Sequence, residues 1–358
     1  MTTKDIANLR IVNQHIARPH LTDPADVVRS MGAIQAQDYG QSLWAVGLRT
    51  KGAKVGNILG AIESGKILRT WPMRGTIHWV PAEDAKWMVA LNGERTISSA
   101  RSRHVEMSLD DNVFARAEEL LRRELEGGKR LSRPKIRDLL AANKFDVGEQ
   151  RVGHILGALS LRGVLCIGPM EGKQQTFVLL DEWAPKPRNL TREEGLGELA
   201  RRYFTSHGPA TILDFATWAS LAQRDAKIGL EIAKPHLVTV NVEGADYWLS
   251  RDAQDVDPAA SKGVHLLAAF EEYLLGYKDR TAVVTPDRAV ASYTNGIFYP
   301  LIVVDGQVVG TWKRTVGAKN IAVAFTPFEP LSAAVIKQVH AQAERYGEFM
   351  GQPIVFAP

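Results

Sequence analysis

One cysteine among 358 residues, Cys166, excludes a disulfide within the chain and any zinc site built on cysteines. It lies in the apolar run Val164-Leu165-Cys166-Ile167 and reads as a core residue. No apolar run is long enough to span a bilayer, and the start, Met1-Thr2-Thr3-Lys4-Asp5, has no apolar signal region. The reducing cytoplasm is therefore the expected compartment, without a membrane partner. Charge of one sign is also scarce. The formal net charge is +4 and the pI about 9.0, which permits a nucleic-acid partner without requiring one. Walker loop, dinucleotide fingerprint, His-Glu-x-x-His and Gly-x-Ser-x-Gly are all missing, and His15, His20 and His78 lack metal-ligand spacing. No cofactor and no metal is expected.

What remains is an ordinary globular composition, 45% apolar and 23% charged, on a chain longer than one hydrophobic core serves. Helical periodicity is followed by a hairpin signal three times. Helices over Ile6 to Ala17, from Pro24, and over Val55 to Ile67 (Val55, Ile58, Leu59 and Ile62 inward) precede Leu68 to Val80, two strands around a turn. Helices over Phe114 to Leu125, Pro134 to Ala142 (capped by Ser132) and Glu149 to Leu161 precede Val164 to Leu180, turning at Glu171-Gly172-Lys173. Helices over Leu196 to Ser206, Phe215 to Leu221 and Arg224 to Ile232, with Thr211 and Asp214 as a capping box, precede Leu237 to Leu249, turning at Glu243-Gly244. A period of roughly 60–80 residues exceeds that of standard solenoids and predicts tandem winged helix-turn-helix units. Asp252 to Lys262 reads as a linker. A hairpin over Leu301 to Trp312 with an Asp305-Gly306 turn, a strand from Ile321 and a helix over Pro330 to Phe349 then form a β-rich α+β segment. The predicted division is 1–105, 106–190, 191–255 and 256–358, in an α+β fold.

The stretch Ile34-Gln35-Ala36-Gln37-Asp38 is the candidate for chemistry. Residues two apart share a side of the chain only when it is extended, so a joint task for Gln35 and Gln37 requires the preceding helix to have ended. That helix is legible: Asp23 as N-cap, Pro24 at the first position, Val27, Val28, Met31 and Ile34 as a buried stripe, and Gly32 weakening its end. Tyr39-Gly40 closes the segment. The alternative, two glutamines that merely bond backbone at a helix end, stays open on these residues alone.

Cations cluster elsewhere. Seven lie between Arg122 and Arg137, among them Arg133, Lys135 and Arg137, against two acids, Glu124 and Glu126. Arg101 and Arg103 form a second patch with Arg95 and His104. Arg151 opens a recognition helix, Lys173 tips a wing, and Arg69, Arg74 and His78 lie on the first hairpin. Trp312-Lys313-Arg314 combines an aromatic face with two cations. On winged-helix units such clusters point to phosphate contact. The run Phe270 to Arg280, dense in ionisable and aromatic groups, reads as an amphipathic helix with internal salt bridges.

Gln35-Ala36-Gln37, Trp71-Pro72-Met73-Arg74-Gly75-Thr76-Ile77-His78, Phe270 to Arg280 and Val308 to Arg314 together resemble the winged-helix crosslink-repair DNA glycosylases of the AlkZ/YcaQ type, over nearly the whole chain. The resemblance implies three tandem winged helices framing a concave basic channel, and a catalytic role for Gln35 and Gln37 as a glutamine–hydrophobic–glutamine motif. It implies a monomeric, nucleoid-associated enzyme acting on double-stranded DNA that carries alkylated purines. Ala268 and Glu271 depart from the proline and aspartate of many relatives. The rival reading is a non-catalytic winged-helix regulator, against which the few base-reading groups of the helix up to Leu161 (Gln150, Arg151, His154) argue mildly.

Overall fold

In the computed structural model, which describes residues 1–148, 150–253 and 257–357, helices give way to an antiparallel hairpin three times. Thr3–Asn13, Pro24–Met31, Tyr39–Gly47 and Val55–Glu63 precede Ile67–Met73 and Thr76–Pro81. Asp111–Leu125, Arg133–Ala142 and Arg151–Leu161 precede Leu165–Ile167 and Thr176–Leu179. Arg192–Ser206, Ile212–Ala219 and Gln223–Ala233 precede Leu237–Val242 and Ala245–Ser250. The tight turns form where two successive residues adopt positive φ: Arg74-Gly75, Glu243-Gly244 and, in the C-terminal segment, Asp305-Gly306. The α+β class and the β-rich C-terminal segment are as expected.

The contacts gather into two compact units, one of Met1–Ile58 with Leu196–Pro358 and one of Leu59–Gly195. In the second, strands lie in the order Thr76–Pro81, Ile67–Met73, Leu165–Ile167, Thr176–Leu179, Leu131–Ser132. Trp79, Leu159, Leu165 and Cys166 are fully buried there, and burial pushes the Cys166 thiol far up, leaving it inert. A helix absent from the sequence reading, Ala85–Ser99, packs on Ile67–Met73 and approaches the end of Arg151–Leu161 so closely that a Cβ on Gly93 would lie 2.3 Å from the Leu161 carbonyl oxygen.

In the first unit a five-stranded sheet runs Ile354–Phe356, Ile321–Pro327, Gln307–Val316, Leu301–Val304, Val264–Leu267. Helix Ala333–Met350, capped by Ser332, packs on Val264–Leu267. Helix Tyr39–Gly47 lies against the same layer: the Trp44 indole N–H donates to the Leu266 carbonyl at 2.8 Å, and a Cβ on Gly47 would lie 2.2 Å from the Phe349 ring.

Several expectations are corrected. Tyr39-Gly40 opens a helix rather than closing a segment, because Asp38 caps it by accepting from the Gln41 N–H at 3.0 Å. The first helix ends at Asn13, and its start is fixed by a capping box of Thr2 and Asp5. Leu59 is 42% exposed, not inward, and Ile67 begins a strand. Ser132 holds the N-cap position without a side-chain bond. Glu149 and the linker residues Gln254, Asp255 and Val256 lie outside the described residues. The run Phe270 to Arg280 is no amphipathic helix: it contains one short helical turn, Glu272–Leu275, with Glu271, Glu272, Tyr273, Leu274 and Tyr277 all buried.

Candidate active site

Helix Pro24–Met31 stops at Gly32, whose φ of 79° is open to glycine and costly for other residues. Trp218 marks the place, since a Cβ on Gly32 would lie 3.4 Å from its ring. The chain then runs extended through Ile34–Gln35 and bends at Gln37-Asp38. Ala36 is fully buried and Gln35 is 5% exposed, whereas Gln37 and Asp38 are exposed. The pair thus straddles the edge of the protein, one amide within the wall and one in solvent.

Behind Gln35 lies a group of buried polar side chains contributed by segments distant in sequence. Glu272, fully buried, accepts the Gln35 backbone N–H on Oε1 at 2.9 Å and the Trp218 indole N–H on Oε2 at 2.8 Å, and the His207 Nε2 lies 3.5 Å from Oε2. Burial lowers the His207 pKa, opposed by Glu272. Next in the chain, Glu271 accepts from Arg49 Nη2 at 2.6 Å, and Arg49 also donates to Gln14 Oε1 at 3.0 Å and to the Ala45 carbonyl at 2.8 Å. The Gln14 amide donates to the Tyr277 hydroxyl, which donates to the His207 carbonyl. Arg10 covers the Tyr277 ring at 3.5 Å and lies 4.0 Å from Asp214. Charges this deep persist only when paired, and Arg49 has Glu271 and Arg10 has Asp214, although Arg10 Nη1, Arg49 Nε and Glu271 Oε2 make no hydrogen bond. Sequence reasoning missed this layer. The one signal it offered was two adjacent carboxylates, Glu271-Glu272, inside an aromatic run.

A cleft of about 660 Å³ that reaches the chain at Asp38, just after the motif, is lined by Asp38, Gln41, Thr311, Lys313, Arg314 and Thr326, with Tyr299 and Trp312 among the remaining walls. Lys313 is exposed. Arg314 bonds the Tyr346 hydroxyl and reaches over Gly40, where a Cβ would meet its Nη2 at 2.8 Å. Trp312 is no base-stacking platform. It is 2% exposed, and its indole N–H donates to the Leu267 carbonyl at 2.8 Å.

The candidate contacts of the second unit divide likewise. Arg69 is 1% exposed, donates to the Met170 sulfur and lies 5.3 Å from the Trp79 ring centroid, so it is a core group rather than a phosphate ligand. His78 is fully buried, with Nδ1 on the Thr76 carbonyl and Nε2 paired with Arg74 Nη2, both at 2.9 Å. Arg101, Arg103, Arg133, Lys135, Arg137 and Lys173 are exposed, and Arg151 is half-buried. Arg103, Lys135 and Arg151 share their charge with Glu106, Glu171 and Asp146. Arg133 borders two clefts, one of about 510 Å³ with Trp71, Gln150 and His154, and one of about 550 Å³ with Arg137, Gly148 and Gln174. Its Nη2 lies 2.9 Å from where a Gly153 Cβ would be. Among the described residues no cluster of histidine, cysteine and carboxylates is arranged to hold a metal ion, and no helix is long and apolar enough to cross a membrane.

Three helix-and-hairpin repeats closed by a β-rich segment, with a glutamine pair at a helix stop, define a winged-helix protein of mixed α+β class. Residues 28–349 match the model of one family, described as DNA glycosylase AlkZ-like, and the chain belongs to that family. It is 28% identical over 347 residues to a protein of Streptomyces sahachiroi titled "Interstrand DNA cross-link repair glycosylase", covering 91% of each chain. Its fold is similar to the solved structure of the Streptomyces sahachiroi DNA glycosylase AlkZ, with a TM-score of 0.81, 24% identity and full coverage of both chains.

Proposed function

We propose that this glycosylase hydrolyses the N-glycosidic bond of cationic N7-alkylated purines in double-stranded DNA, interstrand crosslinks included, with one water held between the carboxamides of Gln35 and Gln37. It acts as a monomer at the nucleoid, and the segments 1–105, 106–190, 191–255 and 256–358 are its working divisions. The observation that carries the reading is the helix stop at Gly32 followed by an extended Ile34–Gln35, which sets a buried amide two residues from an exposed one, next to Asp38, a lining residue of the cleft. The relative named for crosslink repair supports the substrate class.

A carboxamide takes no proton at neutral pH, but its oxygen accepts a hydrogen bond from water and orients it. An unmodified purine leaves poorly, so a water-positioner alone does not excise it. A purine alkylated at N7 carries a positive charge and departs readily. The sugar then develops cationic character, and catalysis reduces to placing the water and surrounding the charge suitably. Two neutral amides are thus matched to charged lesions and mismatched to normal bases. They also avoid the desolvation cost of a buried carboxylate at the reacting centre. Exposed Arg101, Arg133, Arg137, Lys173 and Lys313 would hold the phosphates, with Arg103, Lys135, Arg151, Arg74 and Arg314 as partly engaged neighbours.

Release of N7-methylguanine and unhooking of a nitrogen-mustard crosslink test the reading. Gln35→Ala and Gln37→Ala are each expected to slow release by ~10²–10³, on the scale of removing one oxyanion-hole donor, while DNA affinity persists. Parental rates in both variants would remove the catalytic assignment and leave a duplex-binding protein.

A further inference from the structure

Glu272 has no part in the water-positioning scheme, yet it is the carboxylate bonded to the main chain of the motif. We propose that Glu272 is a positioning residue for glycosidic-bond hydrolysis, fixing the Gln35 main chain by its N–H and held in turn by the Trp218 indole, with His207 packed beside it. The proposal rests on the catalytic reading of Gln35 and Gln37.

Each contact of this carboxylate ties the motif to a different part of the first unit. Oε1 takes the Gln35 N–H at 2.9 Å, Oε2 takes the indole N–H of Trp218 at 2.8 Å, and His207 Nε2 stands 3.5 Å away. Trp218 comes from helix Ile212–Ala219, His207 from the loop before it, and Glu272 from a turn after the strand Val264–Leu267. Their mutual order is fixed by packing: Trp218 and His207 are fully buried with ring centroids 5.2 Å apart, and a Cβ on Gly276 would meet His207 Cδ2 at 2.6 Å. A bond from an N–H to a carboxylate is shorter and stronger than one to a neutral carbonyl, so it defines the donor's place more tightly.

The same indole acts twice on the motif. Its N–H sets Oε2 of Glu272, and its ring bounds Gly32, where the helix must end for Gln35 to become extended. The place where the helix stops and the place where the next strand is anchored are therefore set by one side chain. On the other flank, the Gln41 amide oxygen accepts the Ala269 N–H at 3.3 Å, so the loop that carries Glu272 grips the motif on both sides. Water positioned by two amides is sensitive to such placement, since a shift of ~1 Å in a catalytic group costs on the order of 10² in rate.

Two substitutions separate positioning from stability. Glu272→Gln keeps the shape but leaves one acceptor oxygen for two N–H donors. Trp218→Phe keeps an aromatic ring in the core but deletes the donor to Oε2 and the ring edge that bounds Gly32. Single-turnover release of N7-methylguanine from duplex DNA, with enzyme in excess, is measured beside DNA affinity by fluorescence anisotropy and thermal unfolding. The rate is expected to fall ~10–100-fold in Glu272→Gln and ~3–10-fold in Trp218→Phe, with full product amplitude and DNA affinity within about twofold of parental. A merely structural role lowers amplitude and affinity together and leaves the rate of the folded fraction unchanged, and that result overturns the proposal. Should Glu272→Gln fail to fold, a parental rate in Trp218→Phe overturns it equally. Gln35→Ala and Gln37→Ala are run alongside: parental rates there overturn the catalytic reading and this proposal with it. Slow glutamine variants beside parental Glu272→Gln and Trp218→Phe overturn only the positioning role.

Discussion

Trp312 and Lys313 are sequence neighbours that face opposite environments. Along Gln307–Val316 the pleat sends Trp312 into the core, 2% exposed, and Lys313 out into the cleft. Residue type alone suggested a joint contact with nucleic acid. The period of two, had it been applied along the strand, separates them. On the first hairpin both faces are buried, so no alternation would have shown that Arg69 and His78 lie inside, where a guanidinium over Trp79 and an imidazole bonded through both nitrogens occupy positions that sequence assigned to DNA. Trp312→Ala is therefore expected to destabilise the fold by about 3–5 kcal/mol, the usual cost of emptying a large aromatic site. Lys313→Ala is expected to leave the unfolding midpoint unchanged. It should weaken binding to all duplex sequences alike and reduce the slope of log affinity against log salt by roughly 1, as losing one phosphate contact does. Titrations of both variants across a salt series, with melting curves, check the pair. A parental salt slope in Lys313→Ala would take it out of the interface.

Helix ends were the most legible elements where a cap and a stop residue coincide, and the least where tertiary contacts decide. Asp23-Pro24 and Gly32 bracket a helix as local chemistry dictates, and Thr211 with Asp214 forms the expected box. The run Phe270 to Arg280 was misread because its polar residues imply solvent, whereas Arg49, Trp218 and His207 supply partners from elsewhere and allow them inside. The end of the first helix brings a second consequence of burial. His15 follows it with a φ of 58°, its Nε2 3.1 Å from the Ser30 hydroxyl, and burial chiefly, with His20 and Arg49 adding repulsion, lowers its pKa to about 4. A histidine depressed in the fold is neutral in both states above its unfolded value of about 6.5 and costs nothing there. As pH falls from about 6.5 to 4 the unfolded chain takes up the proton first, so stability declines through that window and levels off below it. His15 alone accounts for a loss on the order of 3 kcal/mol at pH 4. His207 and His265, also lowered by burial, act in the same direction. His15→Asn, which tolerates the left-handed backbone, is expected to flatten the fall of the melting midpoint between pH 6.5 and 4. An unchanged slope would place the acid sensitivity elsewhere.

At the scale of the whole molecule, the candidate site belongs to a unit assembled from both ends of the chain, Met1–Ile58 and Leu196–Pro358. No local pattern announces this. Periodicity and turn chemistry report neighbours a few residues apart, whereas Arg49 and Glu271 are 222 residues apart, Gln14 and Tyr277 263, and Gln35 and Glu272 237. What unites them is the filling of one interior by charges that need each other. Removing either member of a buried pair strands the other at a cost of about 3–5 kcal/mol, a large share of the stability of an ordinary domain. The C-terminal segment supplies Glu271 to Arg49, the Leu266 carbonyl to Trp44, Glu272 to Gln35 and Phe349 to the close approach at Gly47. A chain ending at residue 253 keeps all three helix-and-hairpin repeats but loses each of these partners at once. If the repeats were self-sufficient, it would unfold cooperatively and bind duplex DNA like the full chain. The buried network predicts otherwise: with Arg49 unpaired and the face of Tyr39–Gly47 uncovered, the first unit loses its cooperative melt, Trp44 becomes accessible to fluorescence quenchers, and the proposed release of N7-methylguanine is absent. Supplying residues 257–358 as a separate chain is expected to restore the melt in proportion to its concentration, because the same bonds then form between chains. A truncated chain that melts cooperatively and excises at the parental rate would show that the network is ornament to an active site built from the repeats alone.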